Sequence, residues 1–588
     1  MRIRTLVAGV AAAALLSAVG PAGQAAGSPA GPGPRDVIVH LFQWPWASIA
    51  GECTTVLGPK GFGGVQVSPP QEHVVLPGRG HPWWQDYQPV SYQLTSRRGD
   101  RAAFAAMVRT CHAAGVKIYV DAVVNHMAGG ASTGAGSAGS AYSQYAYPAV
   151  PYGSGDFHHC GRNGNDDIVT WSDRWEVQNC ELVDLSDLKT ESAYVRGKLT
   201  AYLNDLVSLG VDGFRVDAAK HLPAGDLAAI VDPVAGDPYV FSETIEGGAG
   251  EPTPEEYAGI GDVTEFRYGD VVGTAFRDGN LAGLADLPGR MRLASGDAVA
   301  FVDNHDTQRN GRARLTYRNG SPYALAEAFM IAYPYGVPQV MSSFTFSDPE
   351  AGPPAAGNGT TSAVSCGGGW ACEHRWRTTA NMVALRNAAA GTPVTHWWSN
   401  GSDQIAFGRG SAGYVAFNRS GAALTRTFQT GLAAGTYCDV MNGDVANGSC
   451  TGPAYQVGPG GQVTATVPAG GALALHIGAR GGTGTGNPGC TTAATTFAVT
   501  ATTVWGENIF VVGNTAALGN WNPAAAVALS SAGYPVWRGT VTLPASAEIQ
   551  YKYIRTDGGQ VTWESDPNRV RTTAGSAPCS ATWTDAWR

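Results

Sequence analysis

Short apolar runs closed by Gly, Pro or Asp recur along the first two thirds of the chain, at Val37–Phe42, Gly64–Val67, Lys117–Val124, Gly213–Val216, Tyr239–Ser242 and Ala298–Asp303. They lack the strict alternation of a half-solvated strand, so they predict parallel strands covered on both faces. Between them, stretches such as Ala102–Ala114 and Ser192–Leu209 carry apolar residues at helical spacing. Strands alternating with helices over residues 36–390 predict βαβ units and, at this length, a (β/α)8 barrel with insertions. An open doubly wound sheet is the alternative, but no G-x-G-x-x-G follows the first strand.

The regularity breaks between residues 125 and 187, where Ala128–Asp156 is rich in Gly, Ser, Ala and Tyr. Such a long excursion after the third strand predicts an inserted subdomain on the catalytic face of the barrel. From residue 391 to 477 the pattern changes to short alternating runs with Gly-rich turns, among them Gln404–Phe407, Tyr414–Asn418, Gln462–Val467 and Ala472–Ile477, which predict a small antiparallel β domain. Residues 478–489 are a Gly/Thr linker with a reach of about 20 Å. Residues 490–588 again predict all-β structure, with strands at Thr495–Thr500, Asn508–Gly513, Gly539–Leu543 and Glu548–Arg555. The Trp residues at 505, 521, 537, 563, 583 and 587 exceed what a core of that size holds, so some are expected at the surface.

Composition narrows the functional class. The chain has 588 residues, 14% charged, with 79 Gly and 16 Trp, which describes a compact, aromatic-rich protein of several domains. A formal net charge of -9 argues against nucleic acid as a partner. The N-terminus, Met-Arg-Ile-Arg followed by the apolar Leu6–Val19 and the small residues up to Ala26, predicts a secretory signal over residues 1–27 and an extracellular protein. No other segment is apolar enough to span a bilayer, so no membrane association is expected. Ten Cys in an exported chain predict disulfides whose connectivity is formally open. Their placement suggests the sequential pairs Cys53–Cys111, Cys160–Cys180, Cys366–Cys372, Cys438–Cys450 and Cys490–Cys579, and a zinc site is disfavoured because no C-x(2–4)-C pair occurs.

Three of the apolar runs end in carboxylates: Asp217 after Gly213–Val216, Glu243 after Tyr239–Ser242, and Asp306 after the run from Ala298. A single strand-end carboxylate is an ordinary helix cap or arginine partner. Three in this order suit glycoside hydrolysis, which needs one ionised carboxylate and one held protonated. Arg215, two residues before Asp217, is expected to keep it ionised. Glu243 has no adjacent cation in sequence, so burial is expected to raise it toward an acid role.

The segments Gly61-Phe-Gly-Gly-Val-Gln-Val-Ser-Pro-Pro70, Trp83-Trp-Gln-Asp-Tyr-Gln-Pro-Val-Ser-Tyr92, Asp121-Ala-Val-Val-Asn-His126, Gly213-Phe-Arg-Val-Asp-Ala-Ala-Lys-His221, the strand around Glu243, and Val302-Asp-Asn-His-Asp306 resemble the α-amylases of glycoside hydrolase family thirteen, in the animal-type group also found in actinobacteria. The resemblance covers residues 36–480. It implies endo-hydrolysis of internal α-1,4-glucosidic bonds of starch with retention, Asp217 as nucleophile, Glu243 as acid/base and Asp306 as the carboxylate that orients the sugar. Retention implies an Asp217–Glu243 carboxyl separation of about 5–5.5 Å. It further implies substrate contacts from Trp83, Trp84, Tyr87, His126, Arg215, Lys220, His221 and His305; taken singly, the aromatic residues fit a core and the histidines fit structural hydrogen bonding equally well.

The same resemblance implies a Ca²⁺ ion held by Asn125, Asp187 and the backbone carbonyls of Gln178 and His221. It also implies a chloride beside Arg215 and Asn304, but the third chloride position, usually Arg, is the neutral Gln339, so activity without chloride is expected. The last hundred residues resemble carbohydrate-binding module family twenty through Gly506-Glu-Asn-Ile-Phe510, Leu518-Gly-Asn-Trp521, Tyr551-Lys-Tyr-Ile-Arg555 and Thr562-Trp-Glu-Ser-Asp-Pro-Asn-Arg569. This implies a starch-stacking site of Trp521 and Trp563 with Lys552 and Asn568, and a second site weakened by Phe510 where Tyr is usual. The expected partners are starch and α-glucans, and the chain is expected to be a monomer. A cyclodextrin-forming or other transglycosylase acting on starch is the alternative, although such enzymes usually carry an extra β domain before the terminal module.

Overall fold

The computed structural model describes residues 35–129, 133–481, 492–504, 506–545, 547–574 and 579–588. The expected signal segment and most of the linker lie outside these residues, as do Cys490 and Trp505.

Eight parallel strands close a barrel: β1 (Ile38–Leu41), β2 (Gly64–Val67), β3 (Lys117–Ala122), β4 (Gly213–Val216), β5 (Tyr239–Ser242), β6 (Asp262–Glu265), β7 (Ala298–Ala300) and β8 (Val337–Ser342). Each pairs with its neighbour in sequence, and β8 pairs with β1. Two of the eight strands are absent from the apolar runs above. β6 reads Asp-Val-Thr-Glu, with one apolar residue, and β8 contains Pro338, which cannot donate to a ladder, so neither has the composition of a buried strand.

The surrounding helices follow from their spacing. Arg101–Ala113 buries Phe104, Met107, Val108 and Cys111, one face at 3.6-residue period, and Asp100 caps it by accepting from the Ala103 amide at 2.9 Å. Cys111 is bonded to Cys53, stapling this helix to the first helical layer. Gly213 is required where it stands: a Cβ there would lie 2.1 Å from the Tyr239 carbonyl oxygen of the adjacent strand.

After β3 the chain leaves the barrel. His126–Gly129 pairs with Leu185–Asp187, and the segment between them is tied by Cys160–Cys180. Cys366–Cys372 and Cys438–Cys450 are also bonded, and Cys579 is disulfide-bonded, with its expected partner outside the described residues. Beyond the barrel, Val394–Ser399, Gln404–Arg409, Gly413–Asn418 and Gly471–His476 form an antiparallel sheet. Its Phe407 and Phe417 pack on Phe329 of a barrel helix with ring centroids 5.8 Å apart. The C-terminal residues form two further sheets around their own core of Phe497, Ile509, Val511, Trp537, Tyr551 and Trp583. No helix of the described residues is long and apolar enough to cross a membrane.

Candidate functional site

Parallel register assembles the carboxylates. Arg215 on β4 lies opposite Asp121 on β3, and Val216 opposite Ser242 on β5, so the next residues, Asp217 and Glu243, leave adjacent strands side by side. The Glu243 amide donates to the Val216 carbonyl at 2.9 Å, and the Asp217 amide to the Ala122 carbonyl at 3.1 Å, fixing both exits. Asp306 arrives from a tight turn after β7, in which Asn304 Oδ1 accepts from the amides of Asp306 (3.1 Å) and Thr307 (2.8 Å).

One buried guanidinium serves the group. Arg215 Nη1 donates to Asp121 Oδ1 and to Asp217 Oδ1, both at 2.6 Å, and Nη2 lies 2.6 Å from Glu243 Oε1. The two contacts differ in alignment: Asp217 accepts an aligned hydrogen bond, whereas Glu243 Oε1 is buried with no aligned one among the described residues, and its Oε2 accepts from the Ala218 amide at 3.1 Å. This amends the expectation for Glu243, which has a cation beside it in space although none in sequence. At Asp217 burial raises the carboxyl above its ordinary value, and Arg215 pulls against that rise. Glu243 is raised by burial and further by Asp217, again against Arg215. Asp306, whose side chain is 29% exposed, is pushed well up by burial and then by Glu243 and Asp217. Asp121, also bonded by the Tyr87 hydroxyl at 2.9 Å, is pushed up to about 7 by burial.

Aromatic rings wall one side. His305 stacks on Tyr87 with centroids 5.3 Å apart and meets Trp83 edge-on at 5.4 Å; its Nε2 lies 3.4 Å from Asp306 Oδ2. His126 touches the Tyr87 carbonyl through Nε2 at 3.0 Å, and burial lowers it to about 4. Trp84 stands apart from this cluster, its indole N–H donating to Glu350 and its ring under the Arg79 guanidinium at 5.6 Å. On another side Lys220 pairs with Glu251 at 2.8 Å and lies 5.3 Å from the centre of the Trp171 ring, which meets His221 edge-on. Burial and then Lys220 lower His221 to about 3, so it stands neutral.

Arg309 was not anticipated. Its guanidinium sits among the rings of Phe42, Trp83, Phe344 and Phe346 at 4.3–5.3 Å, donating to the His305 carbonyl at 2.7 Å. The sequence cue available was its position three residues after Asp306, but the rings come from distant segments.

Two ion sites were expected nearby. Asn125 Oδ1 is buried with no hydrogen-bond partner among the described residues, and Asp187, on the strand paired with His126–Gly129, has its Oδ2 2.7 Å from His158 Nδ1. Burial pushes Asp187 up to about 7. His221 and Gln178 meet the same region, His221 Nδ1 lying 3.1 Å from the Val177 carbonyl. The donors are hard oxygens and one is orphaned, which fits Ca²⁺. Of the chloride set, Gln339 is neutral and its amide already donates to Gln66 Oε1 at 2.7 Å.

In the C-terminal residues, the Trp521 and Trp563 rings lie 6.5 Å apart and tilted by 37°, and Trp563 is 40% exposed, while Trp537 and Trp583 are core. Lys552 is buried and bonded to Asp566, and Asn568 donates to Gln550 at 3.4 Å. Phe510, at the expected second site, is half-buried on its strand.

Family models match three stretches: an α-amylase catalytic domain over residues 74–238, an α-amylase C-terminal all-β domain over 397–478, and a starch-binding domain over 492–583. An α-amylase of Thermomonospora curvata is 51% identical over 585 residues, covering 95% of this chain and 94% of the relative. One from Tribolium castaneum is 48% identical over 469 residues, covering 76% of this chain and 95% of the relative. Among solved structures, wild-type α-amylase I from Eisenia fetida aligns with a TM-score of 0.72 at 40% identity, over 76% of this chain and 97% of that one. A γ-CGTase from an alkalophilic Bacillus clarkii aligns with a TM-score of 0.57 at 20% identity, over 95% of this chain and all of that one, a likeness of fold alone.

Proposed function

The chain belongs to the α-amylase family, and from that premise we propose which of its residues carry the reaction. It is a glycoside hydrolase that cleaves internal α-1,4-glucosidic bonds of starch, and it carries a starch-binding domain.

The observation that carries the assignment is the unequal grip of Arg215 on two adjacent carboxylates. Asp217, with the aligned charge-assisted hydrogen bond, is the one kept ionised; Glu243, unaligned with the guanidinium and facing Asp217, is the one kept protonated. Asp217 attacks the anomeric carbon as Glu243 gives its proton to the leaving glycosidic oxygen, so the C1–O bond breaks and a glycosyl ester forms. Glu243, now a carboxylate, takes a proton from water, whose oxygen attacks C1 and frees Asp217. Two displacements leave the α-configuration retained. Asp306 lies next to this pair and orients the sugar. Trp83, Tyr87 and His305 offer it a ring wall, with Trp84, His126, Lys220 and His221 at the margins.

Asn125, Asp187 and the carbonyls of Gln178 and His221 would hold Ca²⁺, whose role is to bind the inserted segment to the barrel edge. Trp521 and Trp563, with Lys552 and Asn568 beside them, give the terminal domain a face for glucose rings. The disulfides suit an oxidising exterior, and secretion is the localisation that follows.

The test is Asp217→Asn assayed on soluble starch, with products followed by NMR. Turnover should vanish while adsorption to starch persists, and the wild type should release α-configured linear oligosaccharides. Normal turnover by the variant removes the nucleophile assignment; cyclic products from the wild type favour the transglycosylase.

A further inference from the structure

We infer that the inserted segment carries a second divalent-cation site, suited to Ca²⁺ and formed by Asp167, Glu181 and Asp184. It shares no residue with the Asn125 and Asp187 set. Beside the Cys160–Cys180 disulfide the chain folds back so that Asp167 and Glu181 form a parallel bridge, with the Ile168 amide on the Glu181 carbonyl at 2.9 Å and the Glu181 amide on the Asp166 carbonyl at 2.8 Å. One carboxylate oxygen from each of the three acids lies within 4.8 Å of the others.

The second observation is Glu181 itself. It is 1% exposed; its Oε1 accepts from the Tyr145 hydroxyl at 2.7 Å, but Oε2 is buried with no hydrogen-bond partner among the described residues. A buried carboxylate oxygen without a donor is costly, and the cost is removed by a proton or a cation. Among the described residues no Lys, Arg or His lies within ion-pair distance of the three acids; His159 sits 4.0 Å from the neighbouring Asp166 instead. Burial, reinforced by Asp184, Asp166 and Asp167, pushes Glu181 up to about 7 against the Tyr145 hydrogen bond.

The donor chemistry selects the ion: an all-oxygen set with room for several further ligands suits Ca²⁺, which takes about six to eight oxygens in flexible geometry. All three ligands are hard oxygens, and Asp184 is exposed, leaving a solvent side for water ligands. The consequence reaches the cleft: Trp171, four residues after Asp167, stands against Lys220 and His221, so an ion at Asp167 steadies that wall.

The experiment counts calcium on the full-length protein, stripped on a chelating resin and returned to ⁴⁵Ca²⁺ in equilibrium dialysis. The wild type should bind two ions per chain, and Asp167→Asn/Asp184→Asn one. Asp187→Asn should lose the other ion and keep this one, so failure of the Asn125 and Asp187 assignment is read separately. If the double variant does not fold, Asp184→Asn alone, at an exposed side chain, should weaken one of the two affinities by about tenfold or more. Equal stoichiometry and affinity in wild type and acid-cluster variants overturn the inference.

Discussion

Arg215→Gln is the perturbation with the most to say about this site, because a single buried guanidinium contacts Asp121, Asp217 and Glu243 at 2.6 Å each. A unit charge about 4 Å from a carboxylate centre is worth about 4 kcal/mol at an effective dielectric of 20, which corresponds to about 3 pKa units. Water entering the vacated space recovers part of this, so a net rise of about 1–2 units is expected for Asp217 and Glu243. Removing a positive neighbour disfavours the anion, so both values rise. The acid limb of kcat/KM, set by ionisation of Asp217, moves alkaline, and the alkaline limb, set by loss of the Glu243 proton, moves with it. The bell therefore translates rather than narrows, and kcat falls because Asp217 loses the hydrogen bond that aims it. The assay is kcat/KM on a soluble maltooligosaccharide across the pH range, with near-UV circular dichroism to verify the fold. Arg215→Lys should recover part of the shift, since an ammonium supplies the charge but not the fork that reaches three partners. A folded Arg215→Gln protein whose acid limb stays within about 0.3 pH unit of wild type refutes the reasoning, because such a shift is under 0.5 kcal/mol.

Replacing Trp563 or Trp521 by Ala should lower the ratio of granular to soluble starch activity by about tenfold, a loss of about 1.4 kcal/mol of stacking; an unchanged ratio would show that these rings do not hold the granule. Exhaustive dialysis against chloride-free buffer should leave wild-type kcat unchanged, and strong activation on adding chloride would contradict the reading of Gln339. Gln339→Arg, which places an unpaired cation at a buried position beside Gln66, should gain a melting temperature that climbs with chloride; a melting temperature indifferent to chloride counts against an anion site there. Burial pushes Asp303 up to about 8 and Glu373 up to about 7, and raises Glu327. Acids raised in the folded state contribute fully at low pH, where both states are protonated, and this contribution is lost as pH climbs through the folded values. Stability should therefore decline from about pH 4.5 to 8, and Glu327→Gln should melt higher than wild type at pH 8 while differing little at pH 5. A variant destabilised equally at both values sinks that account.

The barrel was legible where strands are buried on both faces, since burial demands an apolar run and Tyr239–Phe241 or Ala298–Val302 supply one. It was illegible at β6 and β8, where Asp262, Glu265, Pro338 and Gln339 interrupt the run and only closure of the sheet supplies the pairing. The carboxylates Asp217 and Glu243 were legible because strand register makes neighbours of residues at equivalent strand ends. The reach of Arg215 to Glu243 was not, since a cation two residues from one acid lies across a ladder from the other. Arg309 and the acids Asp167, Glu181 and Asp184 were hidden for the same reason: their environments are made by segments brought together only by the fold.

The charge inventory of the site also explains why so many acids are assembled around one arginine. Asp121, Asp217, Glu243 and Asp306 face Arg215, while Lys220 is committed to Glu251 and Arg309 to the aromatic wall. Such a cavity cannot keep every carboxylate ionised in the absence of sugar, and burial with mutual repulsion drives part of the group to hold protons. That is the state the reaction requires at its start, a proton stored next to an ionised nucleophile. As the glycosidic bond breaks, positive charge develops on the sugar ring, and the crowded anions that were unfavourable beforehand meet a cation in a site with little water. A further arginine at the strand ends would relieve more of the repulsion and with it the stored proton; the neutral Gln339, tied to Gln66, adds no such charge to those of Arg215 and Arg309.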